Sequence, residues 1–222
     1  SKGIPSQGSK LLIFYPGIDK IKNFPKKKER LIVFVGKLNA EKGYSIYIEA
    51  INKFLLKFKN WKSISIGEEA RRVIPVSRNT MELGQLSHDK VLKIYEKASI
   101  AIANSVRSEP LGRLPIESSS RGCIPIVSNS GGLPETLDSN SIVLKKNTFE
   151  EIYSELCKLA SNEKTLLSRQ KSIFNNFRYS LIKQTKKLDD IRSNYFAIPD
   201  FKKLKIMHIT NLNERFDGRL HY

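Results

Sequence analysis

Leu31-Ile32-Val33-Phe34-Val35 is a β-branched and aromatic run that stops at Gly36. Odd and even positions are both apolar, so the segment must be covered on both faces, as strands of a parallel sheet are. The residues after Gly36 supply the returning helix that such a strand requires. Ile46, Tyr47, Ala50, Ile51, Phe54, Leu55 and Phe58 recur at helical spacing between about Lys42 and Phe58.

The same alternation continues along the chain. Trp61–Ile66, Ala98–Ala103, Cys123–Val127 and Ile142–Leu144 read as further strands. His88–Lys97 reads as a helix with Val91, Leu92 and Tyr95 on one face. Further helices are expected from within the 109–117 run to about Arg121, and over Thr148–Ala160, Glu163–Phe177 and Ser180–Tyr195. A short helix is expected to follow Gly131-Gly132. Strands alternating with helices indicate right-handed βαβ units and hence a doubly wound parallel sheet, an α/β fold of Rossmann-like type. Ligands of such sheets bind at the carboxyl ends of the strands.

Composition narrows the class. The chain has 222 residues, 40% apolar, with 39 Lys and Arg against 22 Asp and Glu, a formal net charge of +17. Attraction to an anionic membrane or to nucleic acid is one reading of that excess, and a solvated, lysine-rich surface is the other. The basic residues are scattered, with one run at Lys26-Lys27-Lys28 and no stripe interleaved with exposed aromatics. Cys123 and Cys157 form no CxxC pair and no zinc spacing; Cys123 reads as a buried free thiol, and a reducing, cytoplasmic setting is expected. No apolar run approaches the roughly 20 residues needed to span a bilayer. The first residue is Ser1, so the lack of a targeting signal says little about the parent protein.

Function is concentrated in Glu109-Pro110-Leu111-Gly112-Arg113-Leu114-Pro115-Ile116-Glu117. A glycine-bearing turn opens here onto a helix whose first turn holds Pro115 and Glu117. Amides at a helix start favour an anion, most often phosphate. The two carboxylates, eight positions apart, can take hydroxyl groups on either side of it. Phosphate in the middle and polyol at both ends describes a sugar nucleotide. A metal is not expected: the chain contains no Asp-x-Asp, Asp189 and Asp190 are adjacent in a helix and point apart, and His88, His208 and His221 have no partner at ligand spacing. His88, where a helix begins, reads as a capping or surface residue.

Several of these segments resemble, in order, the C-terminal domain of retaining glycosyltransferases of group 1, the GT-B type. Tyr15-Pro16-Gly17-Ile18-Asp19 is similar to the interdomain segment of that family. Gly36-Lys37-Leu38-Asn39-Ala40-Glu41-Lys42-Gly43 resembles its phosphate loop. Leu86-Ser87-His88 with Tyr95 and Ala98 resembles the helix before its catalytic turn. Glu109-x7-Glu117 resembles its paired glutamates, and Gly131-Gly132-Leu133-Pro134-Glu135 its closing glycine turn.

The resemblance implies a division of labour. Lys37 and Lys42 would contact the diphosphate from the loop that begins at Gly36, stabilising the leaving group as the glycosidic bond breaks. The family usually has Arg at the Lys37 position, so this chain keeps the charge without the bidentate fork. Amides around Gly112, Arg113 and Leu114 would add to the phosphate site, with the Arg113 side chain either reaching the phosphates or facing outward. Glu117 would accept from the ribose hydroxyls, Glu109 would bind the donor sugar, and backbone near Leu86 would meet the base. Glu135 reads as a helix N-terminal charge.

The expected layout is an interdomain segment with a first strand at 1–20, a nucleotide-sugar domain at 21–197, and a linker at 198–222. The strand pattern Leu204–Thr210 in that linker would open a second glycosyltransferase unit. A GT-B enzyme also needs an N-terminal acceptor domain, and Ser1–Lys10 is too short to be one, so this chain alone would bind a UDP-, GDP- or ADP-sugar and transfer little or nothing. Peripheral contact with the inner face of an anionic membrane is expected. The competing readings are a non-catalytic sugar-nucleotide-binding module and a basic nucleic-acid-binding domain. No helix-turn-helix, zinc or base-stacking motif supports the latter.

Overall fold

The computed structural model describes residues 13–68 and 76–196. Within them the chain runs β1 (Leu31–Val35), α1 (Tyr44–Lys57), β2 (Lys62–Ile66), β3 (Thr80–Glu82), α2 (His88–Lys97), β4 (Ile100–Ala103), α3 (Leu114–Ser119), β5 (Ile124–Ser128), a 3-10 turn (Leu133–Thr136), β6 (Ile142–Leu144), α4 (Phe149–Ala160), α5 (Glu163–Asn175) and α6 (Leu181–Phe196). The six strands form one sheet in the order β3-β2-β1-β4-β5-β6, and every neighbouring pair is parallel. This is the doubly wound α/β sheet expected from the sequence. The linker at 198–222, with its strand pattern Leu204–Thr210, lies outside the described residues, as do Ser1–Lys10. Among the described residues no helix is long and apolar enough to cross a membrane.

Alternation along β1 explains the layers. Ile32 and Phe34 point to the side covered by α1 and α4, whereas Leu31 and Val33 point to the side covered by α2 and the start of α3. The first layer carries aromatic residues with polar tips, and β2 is built for them. The Tyr44 hydroxyl shares a hydrogen bond with Ser65 Oγ (3.0 Å), and Tyr47 shares one with Ser63 Oγ (2.7 Å). That pairing accounts for two fully buried serines in an otherwise apolar sheet. Burial pushes the Tyr47 hydroxyl far above its ordinary pKa, so it stays neutral.

Two sequence expectations change. β3 was missed, because Thr80-Met81-Glu82 is too short to show a period; it is recruited by pairing with Ser63–Ser65 of β2. The Lys26-Lys27-Lys28 run is only partly solvated. Lys28 turns inward and donates to Tyr95 O (2.8 Å) and Arg121 O (2.6 Å), carbonyls at the ends of α2 and α3 where a cation is favoured. Burial lowers its pKa. Cys123 is a buried free thiol, as expected.

The chain leaves β1 to lay down β2 and β3 on one side, then returns to place β4 on the other. The connections after β1 and β4 therefore lead to opposite sides of the sheet, which makes the carboxyl ends of these two strands its topological switch point, the place where ligands of such sheets bind.

A carboxylate at the far side of this rim fixes the turn into α4. Glu151 accepts from the backbone amides of Lys145 (2.7 Å), Lys146 (2.8 Å) and Asn147 (3.0 Å). Asn147, with φ 51°, in turn donates from Nδ2 to Asn104 O (3.0 Å) just after β4. Burial works to raise the Glu151 pKa, but the three amides outweigh it and hold the carboxyl below its ordinary 4.5. A depressed folded-state pKa stabilises above the unfolded value and is lost as pH falls through the folded one. Glu151→Gln is therefore expected to cost about 1 kcal/mol at pH 7 after solvent screening. In urea titrations the gap from wild type should narrow as pH falls below the ordinary 4.5 and close once pH has passed through the lowered folded-state value. An equal gap at pH 7 and pH 3 would contradict this account.

Candidate functional site

The loop from Gly36 to Gly43 is shaped locally before it meets anything else. Asn39 Oδ1 accepts from the Lys42 amide (3.0 Å), the Gly43 amide donates to Ala40 O (2.9 Å), and the Tyr44 amide donates to Asn39 O (3.0 Å). Gly43 then enters α1 with φ +73°, a conformation that favours glycine. The loop after β4 is fastened to it. Asn104 Nδ2 donates to Gly43 O (2.8 Å), the amides of Val106 and Arg107 donate to Glu41 O (2.9 and 3.2 Å), and Arg107 pairs with the Glu41 carboxylate (2.8 Å).

This fastening brings Lys42 onto Glu109. The Lys42 ammonium and Ser105 Oγ (3.0 Å) both donate to the same carboxylate oxygen, Oε1. The second glutamate repeats the pattern on α3. Glu117 Oε1 faces both Arg113 Nε (3.0 Å) and His88 Nε2 (3.1 Å). The Glu109 and Glu117 side chains are 18% and 10% exposed, so each carboxylate needs charged partners to be tolerated. Among the described residues neither Oε2 atom accepts a hydrogen bond. Each glutamate is thus anchored by one oxygen and presents the other. Behind them the Tyr95 hydroxyl is buried without a partner among the described residues; burial and then the Glu117 charge push its pKa well up.

The glycine turn after β5 closes the rim. The Gly132 amide donates to Glu109 O (2.8 Å), and a Cβ on Gly131 would stand 2.1 Å from that same carbonyl. Only a bare backbone can approach the Glu109 turn so closely. Glu135 lies in the first turn of the 3-10 segment, and its Oε2 accepts from the Tyr15 hydroxyl (2.8 Å), which ties down the segment entering the domain. That hydrogen bond is the main cause of a raised Tyr15 pKa. The next residues of the segment bridge Ile18 to Ser180 before α6.

The sequence-derived candidates therefore divide. Lys42, Glu109, Arg113 and Glu117 form two cation–carboxylate pairs on the loops and helix that follow β1 and β4. Lys37 is exposed after β1 and has no ion partner among the described residues. The Gly36 amide donates to Ile66 O (2.9 Å) at the end of the sheet and is not available to a ligand. Gly112 (φ +73°) makes the turn into α3, Leu114 is buried, and Leu86 packs half-buried on the α2 side of the core. The first backbone bond of α3 runs from the Glu117 amide to Arg113 O (3.0 Å), so the N–H groups before it lie outside the helix ladder.

His88 was missed as a site residue. It does not cap α2; Ser87 holds that position, and His88 instead reaches Glu117 across 29 positions of sequence. No local pattern could have announced the contact. Among the described residues no group of three or more His, Cys, Asp and Glu side chains is placed to hold a metal ion.

A doubly wound parallel sheet, with these loops gathered at the carboxyl ends of its strands, places the molecule among Rossmann-like domains. The chain belongs to the glycosyl transferases group 1, whose family profile matches residues 18–176. It is 31% identical over 117 residues to an uncharacterized glycosyltransferase, MJ1607, of Methanocaldococcus jannaschii, a match covering 49% of this chain and 30% of that protein. Its fold is similar to that of TarM (TM-score 0.65, 15% identity, 80% of this chain and 37% of that one). It is similar also to Anabaena Alr3699/HepE in complex with UDP-glucose (TM-score 0.64, 13% identity, 75% and 49%). The C-terminal domain of the group 1 protein LpcC from Francisella tularensis matches over 73% of this chain and 92% of its own length (TM-score 0.59, 18% identity). The chain thus spans about a third of MJ1607 and of TarM, and most of an isolated C-terminal domain.

Proposed function

We propose that residues 21–197 are the donor domain of a retaining, metal-independent hexosyltransferase and bind a nucleotide-diphosphate sugar at the switch point. The observation that carries this reading is the matched pair of glutamates, each anchored through Oε1 by a cation and presenting Oε2. A diphosphate lying between them would draw Lys42 and Arg113 toward its oxygens, with Lys37 adding charge from the exposed start of the loop. Glu117 Oε2 would then accept from the ribose diol and Glu109 Oε2 from hydroxyls of the sugar. The same cations stabilise charge that grows on the diphosphate as the glycosidic bond breaks, which lowers the barrier more than it tightens ground-state binding. They take the place that a divalent ion holds in Asp-x-Asp enzymes. Retention would follow if a diphosphate oxygen guides the acceptor hydroxyl onto the face it is leaving.

The UDP-glucose complex of a protein with this fold favours a UDP-sugar over a GDP- or ADP-sugar. Transfer requires an acceptor domain, and the net charge of +17 suits work on a glycan or lipid-linked acceptor at the cytoplasmic face of an anionic membrane.

Calorimetric titration of the chain with UDP, GDP, ADP and CMP, with EDTA in place of divalent metal, tests the donor site. One diphosphate should bind saturably, and Glu117→Ala should weaken it about tenfold, the loss of one hydroxyl–carboxylate hydrogen bond. A folded chain that binds none of the four, or binds only when Mg2+ is restored, would overturn the reading.

A further inference from the structure

The His88 ring has neighbours whose demands conflict. Its Nε2 lies 3.1 Å from Glu117 Oε1, which can only accept, and 3.3 Å from Arg113 Nη2, which can only donate. A ring protonated at Nε2 donates to the carboxylate but meets the guanidinium hydrogen to hydrogen. With only Nδ1 protonated it accepts from Arg113 and turns a lone pair toward the carboxylate. One contact is therefore poor for as long as Arg113 lies across Glu117. Arg113 is the member able to leave: its side chain is 52% exposed and stands at the N-terminal cap of α3, beside the proposed phosphate position. Glu117 is buried and cannot move with it.

We propose that His88 is a positioning residue for the ribose, and that its contribution appears when a diphosphate draws Arg113 off Glu117. The Nε2–H then becomes the principal anchor of Glu117 Oε1. It prevents the carboxylate from rotating and keeps Oε2 aimed at the diol. The exchange ties sugar-face recognition to the phosphates: the anion that removes one anchor relieves the strain on the other. This inference rests on the donor-site reading above.

The test is a ligand cycle. Affinities for the nucleoside diphosphate bound tightest among UDP, GDP and ADP, and for its 2′-deoxy and 3′-deoxy forms, are measured on wild type, Glu117→Ala, His88→Ala and His88→Gln. Wild type should prefer the ribose form about tenfold, and Glu117→Ala should erase that preference. His88→Ala should cut the preference to about threefold, weakening the ribose form more than either deoxy form. His88→Gln, whose amide can donate from a similar reach, should restore most of it. A full preference in His88→Ala, or equal weakening toward all three ligands, would overturn the positioning role with the donor site intact. A wild type that does not prefer ribose, together with an ineffective Glu117→Ala, would overturn the donor-site reading and this inference with it. Circular dichroism of each variant separates loss of fold from loss of contact.

Discussion

Lys42→Ala should lower affinity for the nucleoside diphosphate by about 100-fold, the largest effect of any single side-chain truncation at the switch point. Two losses combine. The variant removes a cation that would form charge-assisted hydrogen bonds with the phosphates, each worth about 1.5–3 kcal/mol. It also strips Glu109 of its ion partner, leaving a carboxylate 18% exposed that, among the described residues, keeps only the side-chain hydrogen bond from Ser105 Oγ. That stranded charge would then repel the phosphates directly. The second loss can be isolated, because Lys42→Ala combined with Glu109→Gln removes the repulsion and should recover roughly tenfold of the affinity. Lys37→Ala, which touches no carboxylate among the described residues, should cost about threefold, as an exposed charge does. Calorimetric titrations of the four proteins check the order. A Lys42→Ala variant within twofold of wild type would remove Lys42 from the phosphate site.

The largest expected effect on stability comes from a single methyl group. Gly43→Ala should destabilise the domain by about 3 kcal/mol and lower Tm by roughly 6–12 °C. The new Cβ would lie 2.0 Å from Asn104 O and 2.5 Å from Asn104 Nδ2, at a position where φ is +73°. Asn104 cannot yield cheaply. It is fully buried, its amide group bonds Gly43 O, and its carbonyl accepts from Asn147. The substitution therefore pries apart the two loops that bring Lys42 to Glu109, and nucleotide affinity should fall with stability. Gly84→Ala is the control: its φ is also positive, +65°, but the nearest atom to a new Cβ is Glu68 Oε1 at an ordinary 3.6 Å. It should cost about 1 kcal/mol, the backbone penalty alone. Thermal melts that show equal losses for the two would contradict the close-approach argument.

Some of this architecture is legible in the sequence alone. The two-sided apolar run Leu31–Val35 and the helical recurrence Ile46 to Phe58 are local patterns, repeated often enough to show their period. Their bounds shift by only a residue or two in the structure, with α1 at Tyr44–Lys57. Glu109-x7-Glu117 and Gly131-Gly132 were visible because the turns that use them are continuous in sequence. β3 was not visible, since three residues carry no period and their pairing with β2 creates the strand. Nor was the inward turn of Lys28, whose acceptors at Tyr95 and Arg121 are 67 and 93 positions away.

The sequence by itself determined the α/β class, the parallel sheet and the two glutamates, because apolar periodicity and turn chemistry act between near neighbours. Tertiary structure decided which loops face each other. Placing β4 beside β1 sets Lys42 on Glu109 across 67 residues, and packing α2 against α3 sets His88 on Glu117 across 29. Strand order is a property of long-range packing, where burial of both sheet faces must be satisfied at once, and no local stretch of chain encodes it alone.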